Sequence, residues 1–201
     1  MAELETTPRP LSARARANRE KIFATAIELI AREGYDTVTM ADIAKASGVA
    51  RASVFNHFPA KLAFLAEWFR RFTHEVLAKA REETANSIHA RLNSMFEAFG
   101  AGCHAHKEII VHIASLAMGH GPLAAVESEL DDDLRGFYLS LIEDGQRQGE
   151  VKPDLDAAFL ADYFVGLLTV TAHDWVNTGQ TSDLAHDLKR RFDLLFSGLE
   201  K

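Results

Sequence analysis

Residues 39–61 read TMADIAKASGVARASVFNHFPAK, an order of residue types that predicts two short helices joined by a tight turn. Thr39 can cap the first helix, because the side chain of Asp42, one turn later, reaches back to the cap. Gly48 supplies the left-handed backbone angles that the turn needs. Pro59 disfavours helical angles at the residue before it and so ends the second helix. We interpret this run as a helix-turn-helix, a motif whose second helix reads the major groove of DNA.

The second helix of this motif has one apolar side and one exposed side. Val54 and Phe58 are spaced so that they bury the same side of the helix. In the first helix, Ile43 and Ala44 fall on the inward side, and Val49 fills the angle between the two helices. The residues left outside on the second helix are small, polar or basic, which suits contact with DNA.

The run from about Arg19 to Leu65 resembles the DNA-binding domain of the TetR family of bacterial repressors. The resemblance is specific because several spacings agree at once, whereas the rest of the chain resembles the family only in length, helical character and the pattern of its last third. The residues that carry it are Ile22, Ala26 and Ile30, then Gly34-Tyr35, Thr39-Met40-Ala41-Asp42-Ile43-Ala44, Gly48-Val49 and Phe55-Asn56-His57-Phe58-Pro59-Ala60-Lys61.

The resemblance implies a role for each DNA-facing residue. Arg51, Ala52 and Ser53 would lie near base edges, where Arg51 would contact guanine through two hydrogen bonds worth ~1–3 kcal/mol of discrimination. The alternative for Arg51 is a solvated surface charge. Other residues would grip phosphates, which position the protein without specifying the sequence. The phosphate contacts are expected from Thr39, Asn56, His57 and Lys61, and Phe55 is expected to pack on sugar and backbone atoms.

Some positions depart from the family pattern. The family often has Ser or Thr capping the recognition helix and Ser capping the next helix, where this chain has Ala50 and Ala60. A missing cap costs about 0.5–2 kcal/mol. The family commonly has Tyr where Phe55 stands, so the phosphate contact of that hydroxyl is missing. These departures leave a second interpretation open, a helical interaction protein whose helix-turn-helix does not bind DNA specifically.

Composition favours an all-α protein of one or two domains. The chain has 201 residues, is 47% hydrophobic and contains only 5 Pro, and it lacks alternating β-branched runs. No apolar run approaches the ~20 residues that a membrane span requires, and the N-terminus has no apolar signal region. Cys103 is the single cysteine, which excludes an internal disulfide and fits a reducing cytoplasm. We therefore expect a cytoplasmic protein with no membrane partner.

The net charge of −7 hides a division along the chain. Residues 1–71 hold 11 Lys and Arg against 8 Asp and Glu, a balance of +3, whereas residues 72–201 hold 11 against 21, a balance of −10. DNA phosphates attract the first part and repel the second, which orients a DNA-binding protein. An acidic surface that merely aids solubility explains the second part equally well, but it does not explain the basic residues ahead of the motif. These are Arg9, Arg14, Arg16, Arg19 and Lys21.

Helical periodicity and its interruptions predict the organisation of the chain. We expect a disordered arm at 1–12, a three-helix DNA-binding domain at 13–59, and a helical effector-binding and dimerisation domain at 60–201. A long helix that begins near Ala60 would join the two domains. The other helices are expected at about 14–33, 87–103, 107–118, 123–148, 154–177 and 183–199.

The last two expected helices are apolar enough to form an interface between subunits. The resemblance implies that they pair with their copies in a second chain as a four-helix bundle, and a two-fold dimer would place two recognition helices about 34–36 Å apart or a multiple of that distance. The alternative is that both helices bury their apolar sides within one chain. The apolar residues are Phe159, Leu160, Tyr163, Phe164, Leu167 and Leu168 in the first helix, and Leu184, Leu188, Phe192, Leu195 and Phe196 in the second.

The resemblance also implies a small-molecule effector that binds the second domain and weakens DNA binding. Large apolar residues of the central helices are candidates for the pocket, with a few polar partners, although aromatic residues at helical spacing are more often core. The candidates are Trp68, Phe72, Phe96, Phe99, Ile113, Leu116, Phe137, Leu141, Phe164 and Leu168, with His112, Thr171 and His173 as the polar partners.

Other chemistries find little support in the sequence. Cys103, His104, His106 and His112 are metal-binding residue types, but their spacing fits no tight structural zinc pattern. The chain has no Gly-rich phosphate loop, nucleophile elbow or His-Glu-x-x-His pair. We therefore expect no enzyme activity, no cofactor and no metal. The favoured function is a ligand-responsive transcriptional regulator that binds an operator in double-stranded DNA, expected to be a repressor released by a small molecule. An activator of the same fold remains an alternative.

Overall fold

The structure is a computed structural model that describes residues 12–82, 87–117 and 121–199. The described residues are helical apart from short turns and connections, which confirms the all-α prediction. In chain order the helices are α1 (Ala13–Glu33), α2 (Met40–Ser47), α3 (Arg51–His57), α4 (Leu62–Glu82), α5 (Ile88–Ala105), α6 (Lys107–Ala117), α7 (Ala124–Gln148), α8 (Ala157–Asn177) and α9 (Leu184–Leu199).

The helices begin and end where local signals place them. Ser12 caps α1 through a hydrogen bond from the Ala15 amide. Residues 1–11 of the expected disordered arm lie outside the described residues. Helix α8 begins at Ala157, later than the expected 154, because the carboxylate of Asp156 accepts hydrogen bonds from the amides of Ala158 and Phe159. A capping side chain thus sets the first turn of α8.

The chain divides into two compact units, Met1–Phe64 and Leu65–Lys201. The division falls inside α4, and the boundary between the domains predicted at 13–59 and 60–201 remains a prediction. None of the helices in the part of the chain that the structure covers is long and apolar enough to span a membrane.

The first unit is built around one side of α1. Ile22, Ala26 and Ile30 are fully buried, as their helical spacing predicts. The ring of Phe58 stacks on Phe64 with centroids 4.2 Å apart and on Phe23 at 6.3 Å. These contacts hold the helix-turn-helix against α1 and the start of α4.

The second unit is a helical bundle in which α7 packs against α8, and α5 packs against α9. Helices α5 and α9 approach closely at Gly100, where a β-carbon would lie only 2.8 Å from the β-carbon of Ala185. Aromatic rings fill the centre of this bundle. Phe192 lies 4.6 Å from Phe96 and 4.9 Å from Phe164, measured between ring centroids.

Candidate DNA-binding surface and effector cavity

The first helix of the predicted motif is capped as its sequence indicates. The Thr39 hydroxyl accepts a hydrogen bond from the Asp42 amide at 3.2 Å, and the Asp42 carboxylate accepts one from the Thr39 amide at 3.0 Å. Hydrogen bonds from the Thr39 side chain and backbone hold the pKa of Asp42 below its usual value. Gly48 ends the helix with φ 64° and ψ 26°, the left-handed conformation that glycine adopts at little cost. The predicted cap and turn are both confirmed.

Helix α3 presents the predicted DNA-facing residues on its exposed side. Val54 and Phe58 are buried, and Phe58 has extended angles of φ −138° and ψ 99° just before Pro59. The structure therefore brings the expected contact residues of α3 together on one surface, while their contacts with DNA remain predictions. Arg51, Ala52, Phe55 and Asn56 are exposed, and Ser53 and His57 are half-buried.

Arg51 and Phe55 are coupled to each other on this surface. The guanidinium carbon of Arg51 lies 5.6 Å from the centre of the Phe55 ring, a cation–π arrangement. Their spacing of one helical turn places the two side chains side by side. The ring of Phe55, which is 38% exposed, can thus orient the guanidinium before DNA arrives. The sequence analysis assigned Phe55 only to sugar and backbone contact.

Lys61 has a structural role within the first unit that was not predicted from the sequence. Its ammonium donates hydrogen bonds to the backbone carbonyls of Tyr35 and Val38, the latter at 2.9 Å, and it lies 4.2 Å from the centre of the Tyr35 ring. Lys61 therefore closes the loop between α1 and α2. Its contact with a DNA phosphate stays a prediction.

The missing cap predicted at Ala50 is confirmed, whereas Ala60 is not the residue directly before its helix. Ala50 is the N-cap of α3 and makes no side-chain hydrogen bond. Helix α4 begins at Leu62, so Lys61 and not Ala60 precedes it, and the Ala60 carbonyl accepts a hydrogen bond from the Ala63 amide at 3.1 Å. Only Ala50 is therefore a clear site for an added capping side chain.

Replacing Ala50 with Ser is expected to raise the free energy of unfolding of the first unit by about 1 kcal/mol, because the new hydroxyl can accept a hydrogen bond from an orphan amide of α3. Thermal unfolding followed by circular dichroism measures the change. Ala52→Ser is the matched control, since the same side chain inside the helix cannot cap it and has a lower helix propensity than Ala. Equal melting temperatures for the two variants would contradict the assignment of Ala50 as an uncapped end.

A largely apolar cavity lies in the second unit, walled by α4, α5, α6, α7 and α8. The empty volume between its side chains, including the space open to solvent at its mouth, is about 790 Å³. The volume inside it that is open to a water molecule is only about 80 Å³, which is below the ~300–1,000 Å³ of typical small-molecule sites. Several of the predicted ligand-binding residues line it, namely Phe72, Phe99, Ile113, Leu168 and His173.

The other predicted ligand-binding residues do not border this cavity, and their role in ligand binding stays a prediction. Thr171 donates its hydroxyl to the Leu167 carbonyl at 2.6 Å, and the Trp68 ring packs 5.1 Å from Phe72 and 5.4 Å from His106. Most of the remainder are buried core, because their helices turn these positions toward other helices. The residues that do not line the cavity are Trp68, Phe96, His112, Leu116, Phe137, Leu141, Phe164 and Thr171.

The two carboxylates of the cavity were not among the residues predicted from the sequence. Glu127 and Asp131 of α7 line it together with the apolar Leu130 and Leu134. Burial, then the negative charges of Glu127 and Asp132, raise the pKa of Asp131 to about 6. The signal was present in the sequence, because acidic residues one turn apart fall in the apolar stripe of a helix.

The residues considered for a metal are dispersed. Cys103 is buried and lines the cavity, and burial raises the pKa of its thiol. The rings of His104 and His106 lie instead against Trp175 and Trp68. Among the residues that the structure describes, no group of three or more His, Cys, Asp or Glu side chains is placed to hold a metal ion.

Comparisons with known proteins agree with this architecture. Residues 22–68 match the family model for bacterial regulatory proteins of the TetR family. The transcriptional repressor KstR2 of Rhodococcus jostii is 24% identical over 190 residues, covering 90% of each chain. The fatty acid metabolism regulator protein of Bacillus subtilis is 26% identical over 188 residues, covering 89% of this chain and 94% of its own.

A solved structure gives the same fold. Thermus thermophilus FadR, a TetR-family transcriptional repressor in complex with lauroyl-CoA, matches with a TM-score of 0.69 at 24% identity, covering 90% of this chain and 94% of that chain. The family match covers α2 and α3, where the capped turn and the exposed helix surface were found. Residues 22–68 of this chain therefore match the DNA-binding region of the TetR family of bacterial transcriptional regulators, and its relatives are regulators of that family.

Proposed function

We propose that this chain is a transcriptional repressor that binds an operator in double-stranded DNA as a homodimer and is released when a small molecule enters the cavity of the second unit. The observation that carries the proposal is the exposed side of α3, where Arg51 projects next to Phe55 from a well-formed helix-turn-helix. A regulator of this kind acts on chromosomal DNA, so we place it in the cytoplasm. The family consists of regulators and not of enzymes.

The relatives support the direction of regulation and the presence of an effector. KstR2 of Rhodococcus jostii is a transcriptional repressor, and the FadR of Thermus thermophilus is a repressor that was crystallised with lauroyl-CoA. In this chain a mainly apolar cavity in the second unit is the candidate site for a small molecule. A ligand can shift DNA affinity only if it prefers one conformation of the protein over another. The cavity borders Phe69, Phe72 and Val76 of α4, so a bound molecule would act on the helix that begins in the DNA-binding unit.

An apolar stripe on α8 supports a homodimer. Phe159 is 66% exposed, Tyr163 is 51% exposed and Val170 is 54% exposed, and all three share one side of the helix. Gly166 lies on the same side, with no atom within 4 Å of the position that a β-carbon would occupy. Exposed apolar surface of this kind commonly marks an interface. On α9, Leu194 is 72% exposed, so both of the last two helices offer apolar contacts to a second subunit.

The test of DNA binding begins with an operator selected from random duplexes by the purified protein. Arg51→Ala is expected to lower affinity for that operator about 5- to 150-fold, the equivalent of the ~1–3 kcal/mol of one bidentate base contact. Fluorescence anisotropy at fixed salt, with excess nonspecific competitor, measures the affinity.

Arg32→Ala is the matched control, because it removes one positive charge from the same unit at an exposed position paired with Glu28 and Glu33. The control is expected to change affinity far less than Arg51→Ala. If selection enriches no sequence, the chain is instead a helical interaction protein. If the two variants lose affinity equally, Arg51 contributes only charge and does not read a base.

A further inference from the structure

The cavity combines apolar walls with charge of one sign. Its walls are built mainly from aromatic and aliphatic side chains, and its carboxylates come from Glu127 and Asp131. Among the described residues that line it, no Lys or Arg is present. The cavity therefore has an electrostatic preference as well as a hydrophobic one.

The two carboxylates have only distant or shared partners within the protein. The Glu127 carboxylate lies 3.6 Å from Nε2 of His173, longer than a normal hydrogen bond. Arg135 is the cation whose charge acts on Asp131, but its guanidinium is paired with Asp162 at 2.8 Å. Negative charge at an apolar wall is costly unless a cation approaches it.

The surroundings of Asp131 conflict with a negative charge on its side chain. Partial burial and the neighbouring charges of Glu127 and Asp132 both disfavour its ionised form. A leucine or asparagine would fit this wall without that conflict. Strongly perturbed carboxyl groups inside a cavity are typical of functional sites.

We propose that the effector of this cavity is a hydrophobic amine, whose ammonium group lies between Glu127 and Asp131 while its apolar body packs on the aromatic and aliphatic walls. The proposal rests on the proposed function and specifies its ligand class. A protonated amine supplies the charge and the hydrogen-bond donors that two carboxylates accept. A carboxylate head group would instead meet like charges at close range, where repulsion in a low dielectric is strong.

The two carboxylates also connect the ligand to regulation. They lie on α7, and the α4 residues Phe69, Phe72 and Thr73 border the same cavity. An amine held by α7 would therefore press its apolar body against α4. The ammonium head group would determine which ligands bind, and the apolar body would make the contact with α4.

The test uses three probes of equal chain length, dodecylamine, 1-dodecanol and dodecanoate, each at pH 7.5 and below its solubility limit or critical micelle concentration. Binding to the full-length protein is followed by tryptophan fluorescence, to which Trp175 contributes from the cavity wall, and by isothermal titration calorimetry. Dodecylamine is expected to bind at least tenfold more tightly than either of the other probes. Tighter binding of dodecanol or dodecanoate by the wild-type protein would overturn the proposal without any variant.

Variants locate the effect in the carboxylates. The double variant Glu127→Gln and Asp131→Asn is expected to lose at least tenfold in dodecylamine affinity and nothing in dodecanol affinity. Asp132→Asn is the matched control, because it removes the same charge from the exposed side of α7 and should retain the amine preference. An unchanged preference in the double variant, with circular dichroism that shows an intact helical fold, would sink the proposal.

The operator assay separates this inference from the proposed function. Release of the operator by lauroyl-CoA or dodecanoate, but not by dodecylamine, would leave the repressor function in place and overturn the amine. Failure to enrich any operator would overturn the repressor function, whatever the probes bind. Release of operator DNA by dodecylamine alone is the result that both proposals predict.

Discussion

Replacing Phe58 with Ala is expected to destabilise the DNA-binding unit by about 3–5 kcal/mol, the usual cost of emptying a buried phenylalanine site. Phe58 is 1% exposed. Its ring stacks on Phe23 and Phe64, and the Arg19 guanidinium carbon lies 4.7 Å above it. One side chain therefore joins α1, the end of α3 and the start of α4. Its removal leaves a cavity at the point where these helices meet.

The consequence for function follows from the position of Phe58 at the end of the recognition helix. Small domains are stable by only about 5–15 kcal/mol, so a loss of this size removes much of the margin of the first unit. We expect a lower melting temperature and operator binding that fails at temperatures where the wild-type protein binds. Differential scanning calorimetry and operator anisotropy at several temperatures measure both effects.

Phe55→Ala is the matched control for Phe58→Ala, because it makes the same truncation in the same helix on the exposed side. Its stability cost should stay near 1 kcal/mol or below, as is usual for surface positions. Comparable melting temperatures for the two variants would show that the Phe58 stack does not hold the unit together. Phe55→Ala should instead lower operator affinity, since it removes the ring that lies beside Arg51.

Local features of the chain could be predicted because their causes are local. The cap formed by Thr39 and Asp42 and the turn at Gly48 depend on residues within one helical turn, and the structure has both. The end of α3 before Pro59 follows from the geometry of proline alone. Helix bounds elsewhere agree within a few residues, because caps and glycines mark them in sequence.

Long-range contacts could not be predicted, because several helices decide them together. The Lys61 ammonium reaches a carbonyl 26 residues earlier in the chain, at Tyr35. Phe164 has the same helical periodicity as the true lining residue Leu168, yet it packs on Phe192 in the core. Periodicity shows which side of a helix is buried, but not whether that side meets another helix or a cavity.

The carboxylates of α7 were missed for a different reason. Large apolar residues and a few polar partners were the predicted lining, and the acidic residues after position 71 were interpreted as surface charge. Glu127 and Asp131 stand at the spacing of the apolar residues Leu130 and Leu134, which places all of them on one side of α7. A search for charges inside apolar stripes would have found them.

Replacing Tyr163 with Glu is expected to convert the protein from dimers to monomers at micromolar concentration. Tyr163 stands in the middle of the exposed stripe of α8, between Phe159 and Val170. A two-fold interface brings the same patch of both subunits together. The single substitution therefore places two new carboxylates in the dimer interface. An unpaired buried charge of this kind costs several kcal/mol.

Loss of the dimer should weaken operator binding at least 100-fold, because linked binding modules gain about 10²- to 10⁴-fold over single modules. Multi-angle light scattering measures the mass, and anisotropy measures the affinity of full and half operators. Ala125→Glu is the matched control, since it adds the same charge at an exposed position of α7, outside α8 and α9. If the Tyr163→Glu protein remains dimeric, the interface does not lie on the α8 stripe. If it is a monomer that keeps full operator affinity, DNA binding does not depend on dimerisation. The expected monomer should still bind the cavity probes, because the lining of the cavity does not include Tyr163.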